Sequence, residues 1–304
     1  MNQFETLQAE LSRRCPTLEL RAQEPMSKHT SFRIGGPAAL MALPKTEEEA
    51  AAALSVSHAL GVEPFFLGNG SNLLVADEGV ERFIIKIGAG FDQCRQEGNF
   101  LIADCGITLA RLACFARDHS LTGLEFAHGI PGALGGAVTM NAGAYGGEMK
   151  QVVREVTCLH MDGTREVVTD FDFGYRHSAF SDGKRLVTSV KLELQPGDRE
   201  EIQSCMNELS TKRRDKQPLE FPSAGSTFKR PEGYFAGALI EGSGLKGFQV
   251  GGAQVSPKHA GFVVNAGGAT CADVLELIRQ VQKKVLADHG VKLELEVKVL
   301  GSEA

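Results

Sequence analysis

Gly129-Ile130-Pro131-Gly132-Ala133-Leu134-Gly135-Gly136-Ala137 opens the stretch whose reading decides the fold, and the run continues through Asn141-Ala142-Gly143-Ala144-Tyr145-Gly146-Gly147. Seven glycines fall within these nineteen residues, separated mostly by small side chains. A turn needs one or two. A longer run brings the backbone itself close to something, and a planar or charged ligand lying on it accounts for the density. A shorter run, Gly68-Asn69-Gly70-Ser71-Asn72, follows the apolar segment 64–67. Its small residues let successive N–H groups aim at one spot, and its Asn and Ser side chains add donors, which suits a pyrophosphate. Taken alone, an ordinary turn explains this shorter run equally well.

A third cluster reads differently. Gly242-Ser243-Gly244-Leu245-Lys246-Gly247 fits the G-x-G-x-x-G dinucleotide fingerprint. That fingerprint requires a strand before it and a helix after it. Here a helical run (237–241) precedes and Phe248-Gln249-Val250 reads as a strand, so a helix C-cap is expected instead. No P-loop signature occurs.

Away from the glycines, the periodicities alternate between helix and strand. Phe4, Leu7 and Leu11 at helical spacing predict a helix within 1–20. Thr46-Glu47-Glu48-Glu49 predicts a capping box and a helix to Leu60. Thr108 is expected to cap a helix to His119, and strands are expected at 64–67 and 83–87. Segments 152–159 and 165–168 predict a hairpin around Asp162-Gly163, and 186–194 a further strand. Arg199 to Lys216 predicts a charged helix, and Thr270 with Asp273 caps a long helix stopped by Gly290. The alternation Leu293-Glu294-Leu295-Glu296-Val297-Lys298-Val299 predicts a terminal strand with one buried face. Hairpins mixed with helices indicate an α+β fold rather than a doubly wound parallel sheet.

Composition narrows the function class. The 304 residues are 42% hydrophobic and 23% charged, with 35 glycines and a net charge of −6. An acidic balance excludes a general nucleic-acid footprint, and no apolar run of membrane-spanning length occurs. The polar N-terminus carries no targeting pattern, so a cytoplasmic protein is expected. Seven cysteines with no C-x-x-C pair point to neither disulfides nor a metal site.

Four groups of side chains carry candidate chemistry. Ser226, in Ala224-Gly225-Ser226-Thr227-Phe228-Lys229-Arg230, presents a hydroxyl between small residues and two cations, outside any G-x-S-x-G hydrolase pattern. Arg176, in Tyr175-Arg176-His177, has a fork able to hold a carboxylate in bidentate fashion, although a surface cation or structural pair is the commoner reading of such a residue. Glu296 shares the polar face of the terminal alternation, where a solvated face is the default. Arg213 and Lys216, with Lys229 and Arg230, form either a solvated helix end or a phosphate pocket.

Taken in order, His29-Thr30-Ser31-Phe32, Gly68 to Asn72, Gly129 to Gly136, Asn141-Ala142-Gly143, Tyr175-Arg176, Ala224-Gly225-Ser226 and Leu293 to Glu296 resemble the UDP-N-acetylenolpyruvoylglucosamine reductase family. The resemblance covers nearly the whole chain. It implies an FAD-binding domain of the vanillyl-alcohol-oxidase type at 33–196, with 1–32 as helix and lead-in, and a smaller α+β substrate domain at 197–304. FAD contacts are implied for Ser31, Gly68, Asn69, Gly70, Ser71, Asn72, Gly129, Ile130, Pro131, Gly132, Gly135, Gly136, Asn141, Ala142 and Gly143. Ser226 matches the proton-donating serine, and Arg176 and Glu296 match the pair stabilising an enolate-like intermediate. Substrate contacts are expected at Tyr175, Arg213, Lys216, Lys229 and Arg230. The implied reaction is NADPH-dependent reduction of an enolpyruvyl amino sugar; a monomer is expected, although no motif specifies the oligomeric state. Phe180-Ser181-Asp182-Gly183 leads almost directly into the next strand, so the chain resembles the short subclass, which lacks an inserted tyrosine loop. The alternatives are another FAD oxidoreductase on the same scaffold, or a nucleotide-sugar binding protein without redox chemistry.

Overall fold

The computed structural model describes residues 2–301. Met1, where the first helix is expected to begin, and 302–304, at the end of the expected second domain, lie outside the described residues. The chain forms two compact units. The first comprises Met1–Ala22, Leu40–Asn69 and Arg82–Lys212, and the second Gln23–Ala39, Gly70–Glu81 and Arg213–Ala304.

In the first unit, α1 (Gln3–Arg14) starts on a capping box. Asn2 accepts from the amides of Phe4 and Glu5, and the Glu5 carboxylate accepts from the Asn2 amide. The helix buries Leu7 and Leu11. It ends well short of residue 20, because Pro16 disfavours helical backbone at Cys15, which leaves the helix at φ −136° and ψ 75°. In α2 (Glu47–Ala59), Thr46 accepts from the Glu49 amide as expected. The reciprocal half of the box is absent: the Glu49 carboxylate takes the Lys45 amide instead. Thr108 caps α3 (Leu109–Asp118), as expected. A short α4 (Leu134–Thr139) lies within the long glycine run. Asp198 accepts from the amides of Glu200 and Glu201 at the start of α5 (Arg199–Lys216).

A five-stranded antiparallel sheet dominates this unit, in the order Arg165–Val168, Val153–His160, Arg185–Glu193, Phe100–Asp104, Cys94–Glu97. The hairpin forms where Asp162-Gly163 predicts it. Asp162 accepts from both the amide and the hydroxyl of Thr164, and Gly163 takes φ +85°. The central strand Arg185–Glu193 buries Leu186, Val187, Val190 and Leu192, each worth about 1.5–3 kcal/mol in apolar burial. A four-stranded sheet runs Glu19–Pro25, Pro37–Leu43, Val80–Lys86, Pro64–Leu67, the last two parallel with Leu67 opposite Lys86. The unit division falls inside the first three of these strands.

The second unit has its own core, built from Val263, Ile240, Val274, Leu277, Val281 and Leu293, among others. Its antiparallel sheet runs Ser223–Ser226, Phe262–Asn265, Ala253–Val255, Gln249–Val250. Helix α6 (Ala236–Gly242) precedes the G-x-G-x-x-G stretch and a strand follows it, so that stretch is a helix exit, as expected. Helix α7 (Cys271–His289) begins on the Thr270–Asp273 capping box and ends on Gly290 at φ 69°. The Asp77 carboxylate accepts from the amides of Cys271 and Ala272 at its start.

The terminal alternation does not form one strand. Leu293 and Val297 are buried, but Leu295 and Glu296 are both half-buried. The chain bends at Val297 and changes partners: Leu295 bridges to Phe228, while Lys298–Leu300 pairs in parallel with Leu73–Val75. Two short pairings with a bend between them break the two-residue period that a single strand would impose.

Candidate active site

In the first unit, the glycine run is shaped by two different demands. An added Cβ at Gly135 would stand 3.0 Å from the Cys105 Cβ, at Gly143 2.6 Å from the Glu148 side chain, and at Gly147 2.4 Å from the Phe126 ring. Those glycines are required by packing within the protein. Gly136 and Gly146 meet no heavy atom within 4 Å, and Gly68 meets only the Ala133 methyl at 3.7 Å. Their open Cα faces suit close approach of a flat cofactor, so the backbone surface fits FAD there. Ile130 packs against the core, the Gly132 carbonyl accepts from Leu109, and the Ala142 amide and carbonyl bond Ala137 and Met149. These residues shape the surface. Pro131 is exposed upon it.

Asn141, Gly143, Ala144, Tyr145, Gly146, Gly147, Glu148, Tyr175 and Arg176 line one open cavity of this unit. Asn141 organises it. Its buried amide donates to the Glu148 carboxylate (3.0 Å) and to the Gly174 carbonyl (3.0 Å), while its oxygen accepts from the Lys150 amide (2.9 Å). The loop 143–148 and the tight turn Gly174–His177 are thereby tied together. Arg176 stands at φ +54°, Tyr145 at +53° and Asn141 at +42°, left-handed conformations that cost non-glycine residues of order 1–3 kcal/mol each. Three such residues lining one cavity mark a place where geometry is held against local preference. The Arg176 guanidinium lies 5.2 Å from the Tyr175 ring centroid. The Lys150 ammonium, then the Asn141 amide and the field of Arg176, hold the Glu148 carboxyl below its ordinary range. The residue roles read from sequence omit Tyr145 and Glu148; a tyrosine and a glutamate beside glycines carry no local signal of a cavity.

In the second unit, Ser226 ends the strand Ser223–Ser226 opposite Phe262. Gly225 at φ +75° bulges the strand, so the register slips between Ser223 and Ser226. Thr227 is the anchor. Its amide donates to the Gly261 carbonyl, its hydroxyl accepts from the Val263 amide, and its carbonyl accepts from the Glu296 amide at 2.9 Å. Glu296 therefore stands one residue across from Ser226. On its other side, the Asn72 amide donates to the Glu296 carbonyl (3.1 Å), and the Asn72 carbonyl accepts from Lys298. Asn72 thus works as a brace for Glu296. The Ser31 hydroxyl donates to the Ser223 carbonyl (2.6 Å), and the Ser31 amide to the Gly70 carbonyl (3.1 Å). Gly70 stands at φ +59°, where a Cβ would be 2.1 Å from the His29 carbonyl oxygen. No protein acceptor takes the amide protons of Gly70 and Ser71 among the described residues, as an anion nest requires.

The expected substrate cations are placed unevenly. Arg213 is only 7% exposed, whereas Lys216 is exposed. Lys229 pairs with Glu294 at 3.3 Å. Arg230 donates to the Tyr234 carbonyl and stacks 4.0 Å from the Phe235 ring centroid. Arg176 and Tyr175 belong to the first unit, and Ser226, Glu296 and these four cations to the second. Among the described residues, no group of three or more His, Cys, Asp or Glu could hold a metal ion.

Residues 38–169 match the model of an FAD binding domain, and 217–300 match that of the C-terminal domain of UDP-N-acetylenolpyruvoylglucosamine reductase. The enzyme of that name from Agathobacter rectalis is 48% identical over 99% of this chain and 99% of its own. That from Alkaliphilus oremlandii is 49% identical over 92% and 93%. The crystal structure of the Thermus caldophilus enzyme superposes with a TM-score of 0.80 at 38% identity, over 93% of this chain and 99% of that one. A 4-ethylphenol oxidase from Gulosibacter chungangensis, 13% identical, shares the fold over 64% of this chain and 43% of its own, with a TM-score of 0.50. The architecture is therefore α+β, with an FAD-binding domain of the vanillyl-alcohol-oxidase type and a smaller α+β domain, as expected. The chain belongs to the UDP-N-acetylenolpyruvoylglucosamine reductase family.

Proposed function

We propose that Ser226, Arg176 and Glu296 complete the reduction of an enolpyruvyl ether in this enzyme. The protein is an FAD-dependent oxidoreductase that uses NADPH to convert UDP-N-acetylglucosamine enolpyruvate to UDP-N-acetylmuramate, in peptidoglycan-precursor synthesis. When bound, FAD supplies the two-electron carrier that takes hydride from NADPH and passes it to the terminal enolpyruvyl carbon.

The chain's own residues handle the charge that follows. Negative charge develops beside the substrate carboxylate. A guanidinium held there stabilises the transition state more than the ground state, which is the work proposed for Arg176. Its left-handed backbone, fixed by the Asn141–Gly174 bond, limits the positions the fork can take. The Ser226 hydroxyl then gives its proton to the carbanionic carbon. Glu296, in its protonated form, stabilises the same charge from the neighbouring segment. The observation that carries this reading is the Glu296–Thr227 hydrogen bond, which presents Glu296 and Ser226 from adjacent segments of one unit.

Further assignments belong to the same proposal. Arg213, Lys216, Lys229 and Arg230 serve the substrate's phosphates, with Tyr175 beside them in function. Ser31, the run 68–72 and the run 129–143 serve FAD. The FAD-binding domain is 33–196 and the substrate domain 197–304; the compact units cut the chain elsewhere, grouping 23–39 and 70–81 with 213–304. The short-subclass reading, a monomeric state and a cytoplasmic site of action complete it. No helix among the described residues is long and apolar enough to cross a membrane.

The test is anaerobic. Flavin absorbance should bleach on adding NADPH and return on adding the enolpyruvyl sugar. Bleaching without recovery would leave an FAD enzyme acting on another substrate. Protein that binds no flavin would overturn the reading altogether.

A further inference from the structure

We infer that Lys86 is a cofactor-positioning residue, gripping the Gly68 loop and presenting its ammonium to the phosphates of the dinucleotide; this rests on the FAD reading above. Lys86 closes the strand Val80–Lys86, opposite Leu67 at the end of its parallel partner. The side chain is half-buried and its Nζ lies 3.0 Å from the Gly68 carbonyl oxygen.

That carbonyl is the one acceptor it meets among the described residues, and no carboxylate lies within ion-pair distance. Burial pushes the ammonium below the usual lysine range, with no neighbouring charge to oppose it. A lysine head carries three N–H donors, and a cation withdrawn from water without a counter-charge is costly. An apolar residue would fill the strand end without that cost. A cation is justified there by an anion that arrives later. The place is right for one: Gly68 opens the shorter glycine run, and its Cα face meets only the Ala133 methyl of the longer run. Gly68, the Ala133 methyl of the longer run and the ammonium thus lie together within the first unit. A pyrophosphate, carrying two negative charges, matches a lysine acting as a point charge.

Replacing Lys86 by Met keeps the length and apolar stem and removes the charge. The dissociation constant of FAD is read from flavin fluorescence recovered on diluting the holoenzyme at several salt concentrations. Lys86→Met is expected to weaken FAD about 10- to 100-fold, the span of one charge-assisted hydrogen bond, and to flatten the salt dependence. Lys86→Arg, which keeps the charge, should recover most of the affinity. The thermal midpoint of Lys86→Met without added flavin should equal or exceed that of the parent protein. An unchanged FAD constant in Lys86→Met overturns the inference. So does a weakening that keeps the parent's salt dependence, because Lys86 would then only prop the loop. Failure of the parent protein itself to bind FAD would sink the functional reading instead.

Discussion

The glycine run 129–147 and the paired segments 223–230 and 294–298 are built on opposite plans. The first is a main-chain surface. Its open Cα faces at Gly136 and Gly146 leave room for a ligand, and its crowded ones at Gly135, Gly143 and Gly147 hold the loop in shape. The second is a side-chain site. Ser226 and Glu296 are aimed by a ladder of backbone bonds through Thr227 and braced by Asn72. A main-chain surface fails only where a Cα is crowded or contacted. A side-chain site fails with the loss of a single atom.

That contrast predicts where substitutions hurt. The largest effect should come from Ser226→Ala: re-oxidation of reduced flavin by the enolpyruvyl sugar should slow about 10²–10⁴-fold, with reduction by NADPH unchanged. Rapid-mixing measurement of the two half-reactions separates them, and equal loss in both would remove Ser226 from the proton-donor role.

Two alanine substitutions divide glycines used for packing from glycines used for contact. Gly70→Ala forces a left-handed alanine against the His29 carbonyl and should cost about 2–5 kcal/mol in denaturant unfolding. Gly136→Ala, in helix α4 with open space ahead of it, should leave stability unchanged or raise it by about 0.5–1 kcal/mol while weakening FAD. If Gly136→Ala instead binds FAD as the parent does, the open face is not a cofactor surface and the contrast collapses.

The smallest effect concerns neither region. Thr270→Ala should remove about 1 kcal/mol through the lost cap of α7, with FAD affinity unchanged. The Thr270 and Gly252 amides hold the Asp273 carboxyl below its ordinary range. A carboxyl with a lowered folded-state pKa contributes stability in full above its unfolded value of about 4, and loses it as pH falls through the folded one. Asp273→Asn should therefore flatten the acid limb of a plot of melting temperature against pH.

Local signals account for much of the secondary structure. The hairpin around Asp162-Gly163, α2, α3 and α7 follow from caps, turn residues and periodicity, all signals within a few residues of their effect. The end of α1 is also local, set by Pro16, although the helical spacing of Phe4, Leu7 and Leu11 gives no sign of it. The left-handed backbones of Tyr145 and Arg176 have no such signal, because only their surroundings force them there, whereas asparagine visits that region more readily. Lys86 was silent too, since a lysine ending an apolar strand looks like an ordinary solvated terminus.

The amino-acid sequence by itself determined the α+β class, the absence of a dinucleotide fingerprint, the glycine surface and, through an ordered set of short motifs, the family. Only the tertiary structure decided which glycines face open space, that the terminal alternation bends at Val297, and that the Glu296 backbone is bonded to Thr227. The physical reason is range. Composition and periodicity report on interactions between near neighbours, whereas the Asn72–Glu296 bond joins residues 224 positions apart and exists only once the chain has folded around both.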